Sequence, residues 1–259
     1  MIGQNRLKNL VNSFTVESFP KSLLLVGEQG CGKHTFLKEV IQPHLDHIVQ
    51  DITSTISFEL LLDIALNTIP SIYLIDVDLI TEKQQNILLK FVEEPPTNAN
   101  IVLISSSLTN VIPTVQNRCV LWYFDSYSNE ELENFTSDLT LLQYIRTPGK
   151  LQNTTISDVK SIEELCNKLF TQIDKVSLSN LLTVSEKISW SDKTEGYDKD
   201  IFYDILLKTC LELFKERKIN IFAYRLTDSY VNEFKSKILF DRKRLFEKYL
   251  VELKYGCNS

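Results

Sequence analysis

The stretch LLLVGEQGCGKHTFL, Leu23 to Leu37, limits what this chain can fold into more than any other segment. Gly27, Gly30 and Gly32 follow an apolar run and precede an amphipathic one, so the backbone must turn tightly there from a strand into a helix. Such a turn wraps a phosphate with its amide N–H groups, and the helix behind it aims its positive end at the same anion. Lys33 adds a point charge for the terminal phosphates. A glycine-rich turn with a surface lysine would share these letters, but not the flanking strand and helix. After Lys33 the chain carries His34 where a hydroxyl is needed to ligate magnesium, a hard cation that favours oxygen over imidazole. Thr35 does not stand in for it, because one residue step rotates the side chain by about 100° around the helix, although it stays within reach of another phosphate. These residues predict nucleotide binding with weak or absent metal-assisted hydrolysis.

Apolar β-rich runs recur around this loop and alternate with helical patterns. The pattern predicts helices near Arg6 to Phe14, Phe58 to Leu66 and Glu82 to Phe91, and strands at Ser22 to Val26, His47 to Ile52, Ser71 to Ile75, Ile101 to Ile104 and Cys119 to Phe124. Strands this apolar, each followed by a helix, imply a parallel sheet covered on both faces. Beyond Phe124 every segment has helical spacing. Glu130 to Phe135 follows a turn-like DSYSN. Ser161 and Glu164 read as a capping pair ahead of the stripe Ile162, Leu165, Leu169 and Ile173. Phe202, Ile205, Leu206 and Cys210 repeat the stripe, as do Val231, Phe234 and Ile238, and then Leu245, Tyr249, Leu250 and Leu253. The expected order is thus α/β followed by all-α, with boundaries near Asp125 and in the polar stretch Gln152 to Ser157.

The formal charge of −6 argues against a protein that coats nucleic acid by general attraction. Cys31, Cys119, Cys166, Cys210 and Cys257 lack paired spacing, which predicts free thiols and no zinc site. No apolar run approaches the ~20 residues needed to span a bilayer, so the expectation is a cytoplasmic protein without a membrane partner.

SIYLIDVDLIT ends a strand in Asp76 and Asp78. These are either metal and water-positioning groups or solvated carboxylates at a turn. The segments that follow, ITEKQQNILLKFVEEPP (Ile80 to Pro96) and NIVLISSSLTNVIPTVQNRC (Asn100 to Cys119), resemble the AAA+ clamp-loader subunits, in particular the bacterial delta-prime and gamma/tau subunits of DNA polymerase III. Ile2, Gly3 and Gln4 are similar to that family's GQ box, and Thr147 to Leu151 to its lid segment.

The resemblance implies an AAA+ P-loop domain at 1–125, a small helical lid at 126–156 and a helical collar at 157–259 that joins subunits into a ring. It implies ATP, with Mg²⁺ held by Asp76 if at all. Ungapped, the alignment puts Ile75 at the metal position and Asp76 at the catalytic one. It gives Ser105, among three consecutive serines, a place near the terminal phosphate, and Lys150 a place beside the lid sensor. Arg118 of NRC takes the role of an arginine finger acting in trans on ATP held by a neighbouring subunit. With His34 and the acidic strand end both altered, the resemblance points to a delta-prime-like subunit. Its partners would be other clamp-loader subunits and, through the complex, a sliding clamp and primer-template DNA. An autonomous gamma-like ATPase and a nucleotide-free ring scaffold stay open as alternatives.

Overall fold

The computed structural model of the chain describes residues 1–53, 55–190, 196–236 and 241–256. Two compact units result, one formed by Met1–Ser137 with Arg146–Gln152, the other by Asp138–Ile145 with Asn153–Ser259.

The first unit opens with α1 (Asn5–Asn12) and β1 (Ser22–Val26). The helix behind the glycine loop has three parts: α2 (Lys33–Phe36), a π-helical turn at Leu37–Ile41, and α3 (Gln42–Leu45). Then come β2 (Ile48–Ile52), α4 (Phe58–Leu66), β3 (Ser71–Asp76), α5 (Glu82–Glu93), β4 (Ala99–Ser105), α6 (Pro113–Gln116), β5 (Val120–Tyr123) and α7 (Asn129–Leu132). α8 (Pro148–Asn153) begins in this unit, and the 3₁₀ turn at Leu139–Gln143 belongs to the second. All strand pairs of the main sheet are parallel, in the order β2-β3-β4-β1-β5. This is the expected α/β architecture.

The sheet is covered on both faces because successive side chains of a strand point to opposite sides. Leu24, Val26, Tyr73, Ile75, Ile101 and Leu103 pack on one side with Leu88 and Val92 of α5. Leu23, Leu25, Ile72, Leu74, Val102 and Ile104 pack on the other with Leu7 and Val11 of α1 and with Phe36, Leu37 and Ile41. Helix α5 starts where it does because Thr81 and Gln84 form a reciprocal capping box. It ends just ahead of Pro95 and Pro96, the first of which disfavours helix in the residue before it.

In the second unit the expected helices form, with one boundary shifted. α9 runs Ile156–Gln172, capped by Thr155 with Asp158, so Ser161 lies inside the helix and is exposed rather than capping it. Its buried face is Val159, Ile162, Cys166, Leu169 and Phe170, while Leu165 is half-buried. α10 (Leu178–Leu182), the short pair β6 (Ile188–Ser189) and β7 (Tyr197–Asp198), α11 (Lys199–Lys215), α12 (Ile221–Ser236) and α13 (Arg242–Gly256) complete the unit. Phe202, Phe246 and Tyr249 are core residues, and Phe214 stacks on Tyr224 with ring centroids 5.2 Å apart. Buried hydroxyls find partners in pairs: Tyr203 with Tyr230 at 3.0 Å, and Thr227 with Tyr249 at 2.9 Å. Among the described cysteines, Cys31, Cys119 and Cys166 are free thiols. Cys257 and Ile238 lie outside the described residues.

Candidate functional site

The glycine loop sits at the carboxyl end of β1, where the central strands direct their chain ends to one edge of the sheet. Its geometry requires glycine at two places. Gly30 and Gly32 have φ of +82° and +93°, the left-handed region that disfavours any residue with a Cβ. At Gly27 the restriction is space, since an added methyl carbon would lie 2.7 Å from Phe124 Cβ.

The Thr147 to Lys150 segment packs directly on this loop. Gly149 donates its backbone N–H to the Gly30 carbonyl at 2.9 Å, and Lys150 Nζ lies 3.7 Å from the Glu28 carboxylate. Thr147 is 2% exposed, and its hydroxyl is buried without a hydrogen-bond partner among the described residues. From the other side Tyr127 donates its hydroxyl to the Cys31 carbonyl at 2.8 Å; burial pushes this phenol up to about 12, so it stays a donor. The Gln4 side-chain amide brackets Asp125, donating to its carbonyl at 2.8 Å and accepting from its N–H at 3.0 Å. Lys33 is buried, and its ammonium donates to the carbonyls of Gly27 and Glu28. His34 and Thr35 are exposed on the first helical turn.

The acidic strand end divides its work. Ile75 is buried in the core under the sheet, so no ligand reaches it. Asp76 is half-buried and accepts the Asp78 backbone N–H at 3.0 Å. Burial pushes the Asp76 carboxyl above the ordinary carboxylate range and the neighbouring Asp78 charge adds to this; His34 and Lys33 pull it back by less. Asp78 is engaged on both oxygens. Oδ1 receives the Ser105 hydroxyl and the Asn110 amide, each at 2.6 Å, and Oδ2 receives the Ser106 backbone N–H at 2.7 Å. Ser105 is fully buried, and its carbonyl accepts the Gly27 N–H at 3.1 Å, which ties β4 to the loop entrance.

This donor set fits a phosphate chain: two glycines in the required conformation, Lys33, Lys150 and an unpartnered Thr147 hydroxyl converge on one loop. It does not fit magnesium. The hydroxyl position holds an imidazole, Asp76 is half-buried beside the Asp78 charge, and Asp78 is occupied by protein donors. Among the described residues no group of three or more His, Cys, Asp or Glu is placed to hold a metal ion.

Arg118 lies elsewhere. It precedes β5, whose Val120 pairs with Leu23 and whose Tyr123 pairs with Val26, so it sits at the amino end of the strands while the glycine loop sits at their carboxyl end. The rise from Val120 to Phe124 alone is about 13 Å. Its Nε donates to Glu93 Oε2 at 2.9 Å and its Nη1 to the Thr114 carbonyl at 2.9 Å. The sequence alone does not mark Glu93, Asn110 or Tyr127, and it marks Thr147 only as the start of the lid-like segment. The three last make contacts that bridge separate elements, and only the Asx turn at Asp76 to Asp78 left a local trace of the network around Asp78.

Residues 63–128, which carry the acidic strand end, the Asp78 network and Arg118, match the family model described as DNA polymerase III, delta subunit. The DNA polymerase III subunit gamma of Buchnera aphidicola subsp. Schizaphis graminum is 26% identical over 169 residues, which are 52% of this chain and 47% of that one. Over these stretches the chain is similar to the delta and gamma subunits of DNA polymerase III. The chain spans about half the length of the curated relative it matches. In chain order, its parallel sheet β2-β3-β4-β1-β5 is followed by the helices of the second unit. Among solved structures, a gamma subunit-related protein of Thermotoga maritima superposes with a TM-score of 0.46 at 14% identity, covering 97% of this chain and 98% of that one. The Thermotoga maritima RuvB Holliday junction branch migration motor gives a TM-score of 0.44 at 16% identity, covering 91% and 78%. No helix among the described residues is long and apolar enough to cross a membrane.

Proposed function

We propose that this chain is a delta-prime-like subunit of a DNA-replication clamp loader, with a degenerate nucleotide site of its own and an arginine finger for a neighbour. The observation that carries the reading is the position of Arg118 at the sheet edge opposite its own glycine loop. A guanidinium there serves no phosphate bound to its own chain, whereas the edge of an AAA+ subunit that faces a neighbour can offer it in trans. Charge developing on a transferred phosphoryl group is stabilised by such an arginine, typically by ~10³ to 10⁵ in rate. The chain's own loop would hold ATP through Gly30, Gly32, Lys33, Thr35, Thr147 and Lys150, with Ser105 and Asp78 bracing the loop entrance. The ill-fitting metal set argues against turnover there. The proposed organisation is an α/β part at 1–125, a lid at 126–156 and a collar at 157–259 that holds the other loader subunits. The sliding clamp and primer-template DNA are reached through the complex, in the cytoplasm.

The test is ATP turnover by the complex that co-purifies with the tagged chain, against turnover by the isolated chain. The isolated chain is expected to turn over little ATP, and Arg118→Ala to depress the complex at least a hundredfold at that finger's site. Wild-type turnover in an Arg118→Ala complex would defeat the reading.

A second reading, a nucleotide-free ring subunit, is favoured by one arrangement: Lys33 is bonded to the carbonyls of Gly27 and Glu28 while Gly149 closes on Gly30. Equilibrium binding of a fluorescent ATP analogue separates the two. Saturable binding that Lys33→Ala abolishes supports the first reading, and equal weak binding by both proteins supports the second.

A further inference from the structure

The guanidinium of Arg118 is held between two helix ends. One anchor is Glu93, the last residue of α5, and the other is the carbonyl of Thr114 in the last turn of α6. Nη2 has no hydrogen-bond partner among the described residues. A planar guanidinium with two of its three nitrogens fixed has its remaining N–H edge fixed too, because the fork is rigid.

The choice of an acid at position 93 is informative. A helix C-terminus carries partial negative charge, and an anion there is disfavoured. Glu93 is exposed, so the helix itself gains nothing from it. The pair with Arg118 is the interaction that uses the carboxylate.

We propose that Glu93 is a positioning residue for the arginine finger: with the Thr114 carbonyl it fixes the guanidinium so that the Nη2 edge points outward, ready for a phosphate held by an adjacent subunit. The inference rests on the trans reading of Arg118. Glu93 touches no substrate. It acts by removing the rotamer search that a long, exposed arginine would otherwise complete at each turnover.

The test uses the co-purifying complex, with Arg118→Ala, Glu93→Ala, Glu93→Gln and the Glu93→Ala, Arg118→Ala double variant of this chain. Glu93→Ala is expected to lower kcat about tenfold to a hundredfold with KM for ATP unchanged, as misplacement of a catalytic group does. Glu93→Gln keeps an oxygen acceptor for Nε and is expected to recover most of the loss. The double variant is expected to match Arg118→Ala alone. In the isolated chain the Arg118 Nε–H resonance should be seen in slow exchange for wild type and be lost in Glu93→Ala. If Arg118→Ala depresses turnover while Glu93→Ala does not, the positioning role falls and the finger stands. A Glu93→Ala loss that persists in the Arg118→Ala background also overturns the positioning role, since it would reveal a separate function for Glu93. If Arg118→Ala itself is silent, the trans reading fails and this inference goes with it.

Discussion

Gly149 donates its backbone N–H to the carbonyl of Gly30 at 2.9 Å, so the glycine loop and the start of α8 meet backbone to backbone. Neither position has room for a side chain. A methyl on Gly30 would lie 2.9 Å from Thr147 Oγ1 and 3.2 Å from Lys150 N, and one on Gly149 would lie 2.9 Å from Gly30 Cα. Gly30→Ala adds backbone strain at φ +82° and is expected to destabilise the first unit by about 1–3 kcal/mol. Gly149→Ala acts through the clash alone. Because both substitutions part the same two segments, the double variant should cost less than the sum. Urea unfolding read by Trp122 fluorescence in a Trp190→Phe background measures this, and strict additivity would refute the shared contact.

Asp78 joins three elements that the sequence keeps apart: the turn after β3, the end of β4 and Asn110. Asp78→Ala strips an acceptor from the Ser105 hydroxyl, the Ser106 N–H and the Asn110 amide, although Ser105 keeps the Ser107 carbonyl at 2.8 Å. The expected loss is about 1–2 kcal/mol, below the sum of three charged hydrogen bonds because the carboxylate is solvated. Asp78→Asn, which retains one oxygen acceptor, should lose less. The same urea experiment tests the ranking, and equal effects of the two substitutions would contradict it.

The strands were legible because Leu23 to Val26, Ile72 to Ile75 and Ile101 to Ile104 are unbroken apolar runs, as a strand covered on both sides demands. The loop was legible from its glycines, whose left-handed backbone leaves a mark in the letters. The start of α9 was not. Thr155 with Asp158 forms a capping box built on a shorter acid, and the Ser161 and Glu164 pair, 6 positions further along, copies the same spacing. Nor were the Asp78 network and the pairing of Arg118 with Glu93 readable, because their partners lie 25 to 32 positions apart and meet only when the sheet forms.

Asp76 gives a pH signature. Its folded carboxyl titrates above the ordinary value because burial and Asp78 disfavour its charge. Between the unfolded value of 3.8 and that raised value the native state binds more protons, so this group makes stability fall as pH rises through the window. The penalty is complete above it. Asp76→Asn removes the charge and keeps an oxygen for the Asp78 N–H. It is expected to raise the unfolding midpoint at pH 7 and to have little effect near pH 3, where both states hold the proton. A midpoint unchanged at pH 7 would show that Asp76 carries no such penalty.

The thiols next to the functional groups should be inert until the fold opens. Burial pushes Cys119, beside Arg118 in the chain, up to about 12, and raises Cys31 inside the glycine loop despite the nearby Lys33. A disulfide reagent attacks through the thiolate, so at pH 8 neither should react at the rate of an open-chain cysteine, and the rate should climb as pH approaches the raised values. In urea all 5 cysteines should titrate quickly. Gly30→Ala, by parting the loop from α8, is expected to speed modification of Cys31 at pH 8 and leave Cys119 unchanged. Peptide mapping after brief labelling distinguishes the two sites, and fast native labelling of Cys31 in the unsubstituted chain would mean that the loop is open to solvent rather than packed against Tyr127 and Gly149.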